Sequence, residues 1–258
     1  MAKILTEQKN GLMYVTINRE KALNTFDYET LCELEKVVYR IHLDPDVRVI
    51  IFTGAGEKAF SAGADLKERK TLTPNEVRRN VKKIGDVFDQ IAALPQPTIA
   101  AVNGYTFGGG FELMLACDLG IASENSQFGM TETSWGIIPG AGGTQRLPRR
   151  VGEMRAKELI FTARRFDAVE AKELGVLLDV VPQKKLRETC TEMAEQILKN
   201  GPVALRQAKF AISEGLNTDL ATGMKIESKS YEMTIDTEDR VEALEAFAEK
   251  REPKFKGK

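Results

Sequence analysis

Histidine is almost absent from this chain: its 258 residues hold one, His42, in Val38-Tyr-Arg-Ile-His-Leu43. That position ends a helical pattern, where a surface or capping role is the ordinary reading. A single histidine leaves no His-rich metal cluster and no Ser-His pairing, so no metal site is expected. Cysteine is scarce too. Cys32, Cys117 and Cys190 stand far apart, form no CxxC pair, and read as buried free thiols in a reducing compartment. Net charge is nearly nil: 37 basic residues meet 38 acidic ones, giving a formal charge of -1. No global field draws the chain to nucleic acid or to an anionic membrane. No apolar run approaches the roughly 20 residues that span a bilayer. The start, Met1-Ala-Lys-Ile-Leu-Thr-Glu-Gln-Lys9, has neither a signal-peptide nor a transit-segment pattern, so a cytoplasmic location is expected. Low-complexity segments and obvious internal repeats are also lacking.

What is present is an ordinary globular composition, 42% hydrophobic and 29% charged. The length suits one large domain, or one domain with an appendage. Alternating, β-rich stretches predict strands over Leu12–Asn18, Val47–Thr53, Thr98–Val102 and Leu119–Ala122, with a short one over Gln127–Met130. Helical spacing predicts helices over Tyr28–Leu43, Pro74–Leu94 and Phe111–Cys117. Ser61–Asp65 reads as a tight loop. Strands alternating with helices imply an α/β core. After about Val181 the pattern is helical only, over Gln183–Asn200, Pro202–Glu214, Leu220–Thr234 and Thr237–Lys250. Such a tail cannot bury all its apolar stripes against itself, so it must pack on the core or on another subunit.

The most informative stretch is Ile99-Ala-Ala-Val-Asn-Gly-Tyr-Thr-Phe-Gly-Gly-Gly-Phe-Glu112. An apolar run stops at Asn103-Gly104, three glycines follow, and Glu112 falls in the first turn of the next helix. A second carboxylate, Glu132, stands in Phe128-Gly-Met-Thr-Glu132, shortly before another glycine-rich loop. Neither loop suits a nucleotide. Gly140-Ala-Gly-Gly-Thr-Gln-Arg146 lacks the Lys-Ser/Thr of a P-loop, and Gly108-Gly-Gly110 lacks the dinucleotide spacing. Singly, each glycine is explained by a tight turn, and Glu112 by the helix dipole. Together, two carboxylates in an apolar context beside exposed backbone amides are the parts of an acid/base site next to an oxyanion pocket.

Four blocks carry a resemblance. They are Asn18-Arg-Glu-Lys-Ala-Leu-Asn24, Ala59-Phe-Ser-Ala-Gly-Ala-Asp-Leu-Lys67, Ile99 through Asp118, and Phe128–Glu132 with Gly136-Ile-Ile-Pro-Gly-Ala-Gly-Gly-Thr-Gln-Arg-Leu147. In this order they resemble the enoyl-CoA hydratases of the crotonase superfamily, from about Leu12 to Lys256. The resemblance implies an α/β spiral of ββα units (the crotonase, ClpP-like fold), with a catalytic core over residues 1–195. A helical region over 196–258 would build homotrimers, which often stack as hexamers.

It also implies roles by position. The backbone N–H groups of Ala64 and Gly109 would form the oxyanion hole for the thioester oxygen. Glu112, as base, and Glu132, as acid, would hold one water between them and titrate as a coupled pair. Lys21, Ala22, Ala62, Asp65, Leu66, Lys67 and Gly108 would contact coenzyme A or the acyl group. Lys250 would reach coenzyme A from the tail, often across subunits. Coenzyme A is then part of the substrate, and no separate cofactor is implied.

The implied reaction is reversible syn hydration of a trans-2-enoyl-CoA to a 3-hydroxyacyl-CoA, in fatty-acid or branched-chain acyl breakdown. Relatives that only isomerise double bonds often lack one glutamate, and this chain has both. Motif detail is similar to the methylglutaconyl-CoA hydratase branch of leucine degradation, as in Ala62-Gly-Ala-Asp-Leu-Lys-Glu-Arg69 and Thr234-Ile-Asp-Thr-Glu-Asp-Arg240. A second acyl carboxylate would require a cation in the pocket. One relative in that branch binds AU-rich RNA through a lysine-rich helix, which would make this a weak hydratase that binds RNA. The matching helix here sets Glu29, Glu33 and Glu35 against Lys36 and Arg40, which argues against phosphate binding. Lys67–Asn80 is expected to shape the acyl pocket and to be mobile.

Overall fold

The computed structural model describes residues 2–258. Its first part repeats one motif: a long strand, a short strand set off from it, then a helix. The long strands build a six-stranded sheet. They are β1 (Ile4–Lys9), β2 (Leu12–Ile17), β3 (Val49–Gly54), β5 (Thr98–Val102), β7 (Leu119–Ser123) and β10 (Asp179–Val181), in the order β1-β2-β3-β5-β7-β10. Only β1 runs antiparallel to its neighbour. The short strands β4 (Ala59–Ser61), β6 (Tyr105–Phe107), β8 (Gln127–Gly129) and β9 (Phe166–Asp167) form a second sheet in the order β4-β6-β8-β9. Because β3, β5 and β7 step through one sheet while β4, β6 and β8 step through the other, the chain winds as a spiral of ββα units.

Alternation along the long strands explains their apolar runs. Val15, Ile17, Ile50, Phe52, Ala100 and Val102 face the main core. There they meet α1 (Tyr28–Leu43), α3 (Pro74–Ala92) and α4 (Gly109–Ala116). The short α2 (Leu66–Arg69) precedes α3. The intervening residues Tyr14, Val49, Ile51, Ile99 and Ile121 point the other way, onto Leu186, Cys190 and Ala194. Between the last unit and the tail run α5 (Gly143–Val151), α6 (Glu153–Thr162) and α7 (Ala168–Glu173). A 3-10 turn, Gln183–Lys185, opens the segment expected to be one helix, and α8 proper is Leu186–Leu198. Tyr14 Oη bonds Thr191 Oγ1 at 2.7 Å, pinning α8 to β2. The packing of α8 therefore carries the core to Leu198.

Beyond it, α9 (Pro202–Gly215) and α10 (Leu220–Ile235) form a hairpin, followed by α11 (Glu238–Glu249). Lys209 of α9 anchors the hairpin, reaching Asp118 Oδ2 at 2.7 Å and the Gln96 carbonyl at 3.0 Å. Its outer faces expose Phe210, Ile212, Leu216, Leu220, Met224 and Tyr231. Cys117 and Cys190 are buried free thiols; Cys32 is only half-buried. Among the described residues no helix is long and apolar enough to cross a membrane.

Candidate active site

The site forms where the ends of two ββα units meet. Asn103, at the end of β5, accepts the Gly54 N–H at 3.1 Å and donates to the carbonyls of Gly54 and Gly56 at 2.9 and 2.7 Å. That clip aligns the turns leaving β3 and β5. Sequence reading sets all three glycines before the helix. The structure instead puts Gly109 and Gly110 inside the first turn of α4, with Gly108 as N-cap. Gly110 lets the helix press on β4: a Cβ there would stand 2.0 Å from the Ser61 carbonyl oxygen. Gly108 has φ +50°, and a Cβ on it would lie 2.9 Å from Glu132 Oε1.

The two loops bring the proposed amide donors together. A Cβ on Gly63 would lie 3.1 Å from the Gly109 nitrogen, and one on Gly109 would lie 3.8 Å from the Ala64 nitrogen. Among the described residues, the N–H groups of Ala64 and Gly109 have no hydrogen-bond partner. Neighbouring amides are used instead. Phe26 N–H donates to the Gly63 carbonyl at 2.8 Å, and Asp65 N–H to the Phe26 carbonyl at 2.9 Å. An adjacent pair of unused amides, one at a helix N-terminus, is a place for a developing oxyanion.

Glu112 is 3% exposed. Its Oε1 accepts the N–H groups of Ala141 and Gly143 at 2.7 and 2.8 Å. Those donors belong to the second glycine-rich loop, whose contact with Glu112 the sequence does not show. The signal in the sequence is a carboxylate in an apolar helix together with a glycine-rich loop. Arg146 fixes the same loop, bonding the Ala141 carbonyl at 3.0 Å and Asp89 at 2.6 Å. Glu132 stands in a 3-10 turn, Glu132–Trp135. Its Oε2 is buried and has no hydrogen-bond partner among the described residues.

The two carboxylates differ in what surrounds them. Burial pushes Glu132 up to about 7, and the charge of Glu112 adds to the rise. Burial raises Glu112 too, but the amides of Gly143 and Ala141 and the charge of Arg146 oppose it. Two close carboxylates cannot both ionise cheaply, and only one is braced by donors. Both carboxyls are thus raised by burial, and it is Glu112 that the second loop's amides draw back.

The remaining residues fall into three groups. Ala62, Leu66 and Lys67 follow one another around Ala64, and Ala62 N–H bonds the Leu23 carbonyl at 3.0 Å. That bond brings the turn holding Lys21 and Ala22 alongside; Lys21 and Lys67 are exposed. Asp65 is committed to the scaffold rather than free for a ligand. Its Oδ1 caps α2 by accepting from Lys67 and Glu68, and its Oδ2 pairs with Arg19 at 2.9 Å. Lys250 stands apart, exposed at the C-cap of α11 with φ +56°. From the Lys67–Asn80 segment, Glu68 and Asn80 join Phe26, Leu31, Ala64 and Ile84 around a cavity of about 20 Å³. Larger surface hollows, such as the one of about 490 Å³ near Lys9, Arg48 and Arg206, are lined by none of these residues.

Comparison with known proteins shows the family and the fold. Residues 7–258 match the enoyl-CoA hydratase/isomerase family. The Bacillus subtilis (strain 168) protein YngF is 50% identical over 254 residues, covering 98% of each chain. The mitochondrial methylglutaconyl-CoA hydratase of Mus musculus is 45% identical over 257 residues, covering 98% of this chain and 82% of the relative. A crystal structure of enoyl-CoA hydratase from Bacillus anthracis superposes with a TM-score of 0.98 at 49% identity, covering 100% of both chains.

Proposed function

This chain belongs to the enoyl-CoA hydratase/isomerase family, and we propose that it adds water reversibly across the double bond of a trans-2-enoyl-CoA. The observation that carries this reading is the unequal pair of carboxylates: Glu112 is braced by two amides, while half-buried Glu132 keeps a buried Oε2 with no partner among the described residues. Ionised Glu112 takes a proton from water as its oxygen bonds to C3. Neutral Glu132 delivers a proton to C2. The thioester oxygen, gaining charge as the enolate forms, lies between the N–H groups of Ala64 and Gly109. Fixed amides need no reorganisation at that moment, and one such donor is worth about 3 kcal/mol of barrier. Hydration changes no net oxidation state, so the reaction draws on no redox cofactor.

Coenzyme A belongs to the substrate. Lys21, Ala22, Ala62, Leu66, Lys67 and Gly108 would line its path to the thioester, with exposed lysines suited to its phosphates. The apolar faces of α9 and α10 would be covered by further copies of the chain, in a homotrimer or a stacked pair of trimers. Lys250, remote from the loops along the chain, would then serve a neighbouring subunit's coenzyme A.

Methylglutaconyl-CoA is the second candidate substrate, supported by the mouse relative's 45% identity across nearly the whole chain. The test is turnover of crotonyl-CoA and 3-methylglutaconyl-CoA side by side in ¹⁸O-labelled water. Loss of the conjugated enoyl-thioester absorbance with one label per product supports hydration, and the faster thioester names the substrate. A shifted double bond without label would make the enzyme an isomerase.

A further inference from the structure

Arg19 lies outside the carboxylate pair and is not one of the residues assigned to coenzyme A, yet it sits behind the Ala64 amide. Its side chain is 17% exposed. One guanidinium nitrogen, Nη2, contacts Asp65 Oδ2 at 2.9 Å and Asp27 Oδ2 at 3.0 Å. The other, Nη1, donates to the Thr25 carbonyl at 2.6 Å and to Thr25 Oγ1 at 3.1 Å. The two aspartates are both helix N-caps. Asp27 opens α1 by accepting from Thr30 N–H, and Asp65 opens α2 by accepting from Lys67 and Glu68. Arg19 thus ties the starts of two helices to one fork.

Between those caps lies the bridge that sets the oxyanion loop. Phe26 pairs with Ala64 in parallel register. The bonds of that bridge use the Gly63 carbonyl and the Asp65 N–H. In an extended segment the N–H of the residue between them points to the opposite side. The direction of the Ala64 N–H is therefore set by the spacing of residues 26 and 64. Asp27 and Asp65 flank that pair, and Arg19 holds both.

We propose that Arg19 is a positioning residue that fixes the Ala64 amide for the developing oxyanion. The inference rests on the hydratase reading above. An ion pair of this kind could serve stability alone, so the test must read the oxyanion itself. A 3-ketoacyl-CoA is suited to that: its enolate carries the same negative oxygen and has its own near-ultraviolet absorbance. An intact oxyanion hole raises the enolised fraction of the bound thioester.

Acetoacetyl-CoA is bound to the wild type, Arg19→Gln, Arg19→Lys and Asp65→Asn, and kcat and KM for crotonyl-CoA are measured on the same proteins. Asn is as good an N-cap as Asp, so Asp65→Asn retains the start of α2 while the group facing Arg19 loses its charge and its acceptor oxygen. This milder variant decides the matter if Arg19→Gln does not fold. The expected result is a smaller enolate band and a kcat lowered about tenfold in Arg19→Gln and Asp65→Asn, with KM changed less than about threefold. Arg19→Lys, a point charge without the fork, is expected to fall between them and the wild type. A full enolate band and wild-type kcat in folded Asp65→Asn and Arg19→Gln, with only the melting temperature lowered, would overturn the proposal. If the wild type itself neither hydrates crotonyl-CoA nor shows an enolate band, the hydratase reading fails first, whatever the variants do.

Discussion

The carboxylate of Glu112 accepts the backbone N–H of Gly143 at 2.8 Å, across 31 residues of chain. With the Ala141 amide it fixes one oxygen and leaves the other for chemistry. Glu112→Gln retains a carbonyl oxygen for both donors and loses the base. It is expected to melt near the wild-type temperature while kcat falls about a hundred- to ten-thousandfold. Glu112→Ala orphans two buried amides and should in addition cost about 2 kcal/mol or more of stability. Thermal unfolding beside turnover separates the two effects.

Glu132, held up to about 7, makes the site pH-sensitive in a stated direction. As pH rises through about 7 it loses the proton destined for C2, so kcat/KM for hydration should fall on the alkaline side. Stability follows the same group. Its folded-state value lies above the ordinary 4.5, so its contribution is fully present below that value and is lost as pH rises through about 7. Glu132→Gln should therefore stabilise the protein more at pH 8 than at pH 4.5, by about 2 kcal/mol. Melting curves at both pH values check this.

Gly108 leaves no room for a side chain beside Glu132 Oε1, 2.9 Å from a Cβ that alanine would add. Its φ of +50° adds backbone strain. Gly108→Ala should lower kcat about a hundredfold by moving the acid and the adjoining Gly109 amide. It should cost about 1–3 kcal/mol of stability. Turnover and melting temperature on one preparation test both.

Lys209 is the polar tie between the helical hairpin and the sheet. Its side chain is 11% exposed, against 30% for its partner Asp118. Asp118 also accepts Thr98 N–H and Oγ1–H, so removing the lysine leaves the carboxylate partly satisfied. Lys209→Met is expected to cost about 1–2 kcal/mol. Hydrogen exchange should show protection falling in α9 while β5 stays protected.

Much of this was legible from the sequence, for reasons visible in particular elements. The apolar series Leu31, Leu34, Val37, Val38, Ile41 predicts α1 at Tyr28–Leu43, and the structure has those bounds, with Asp27 as N-cap. β1 escaped because only Ile4 of its six residues is buried, so no apolar alternation marks it. β4 and β6 are three residues long, too short to carry a period. The ββα repeat leaves no sequence echo because successive units are joined by backbone pairing between strands, which asks for no recurring residues. Both glutamates were found through their glycine-rich neighbours. Their unequal surroundings were not, since the amides of Ala141 and Gly143 reach Glu112 only in the folded chain. Arg19 was read only as part of a motif, because its two aspartates lie 8 and 46 residues away.

The most direct test of the two-carboxylate account is the loss of enoyl-thioester absorbance with crotonyl-CoA and 3-methylglutaconyl-CoA, measured for wild type, Glu112→Gln and Glu132→Gln. Turnover of at least one thioester by the wild type is expected, with collapse of that turnover in both folded variants. Wild-type protein inert toward both thioesters, or either variant retaining full activity, would contradict it.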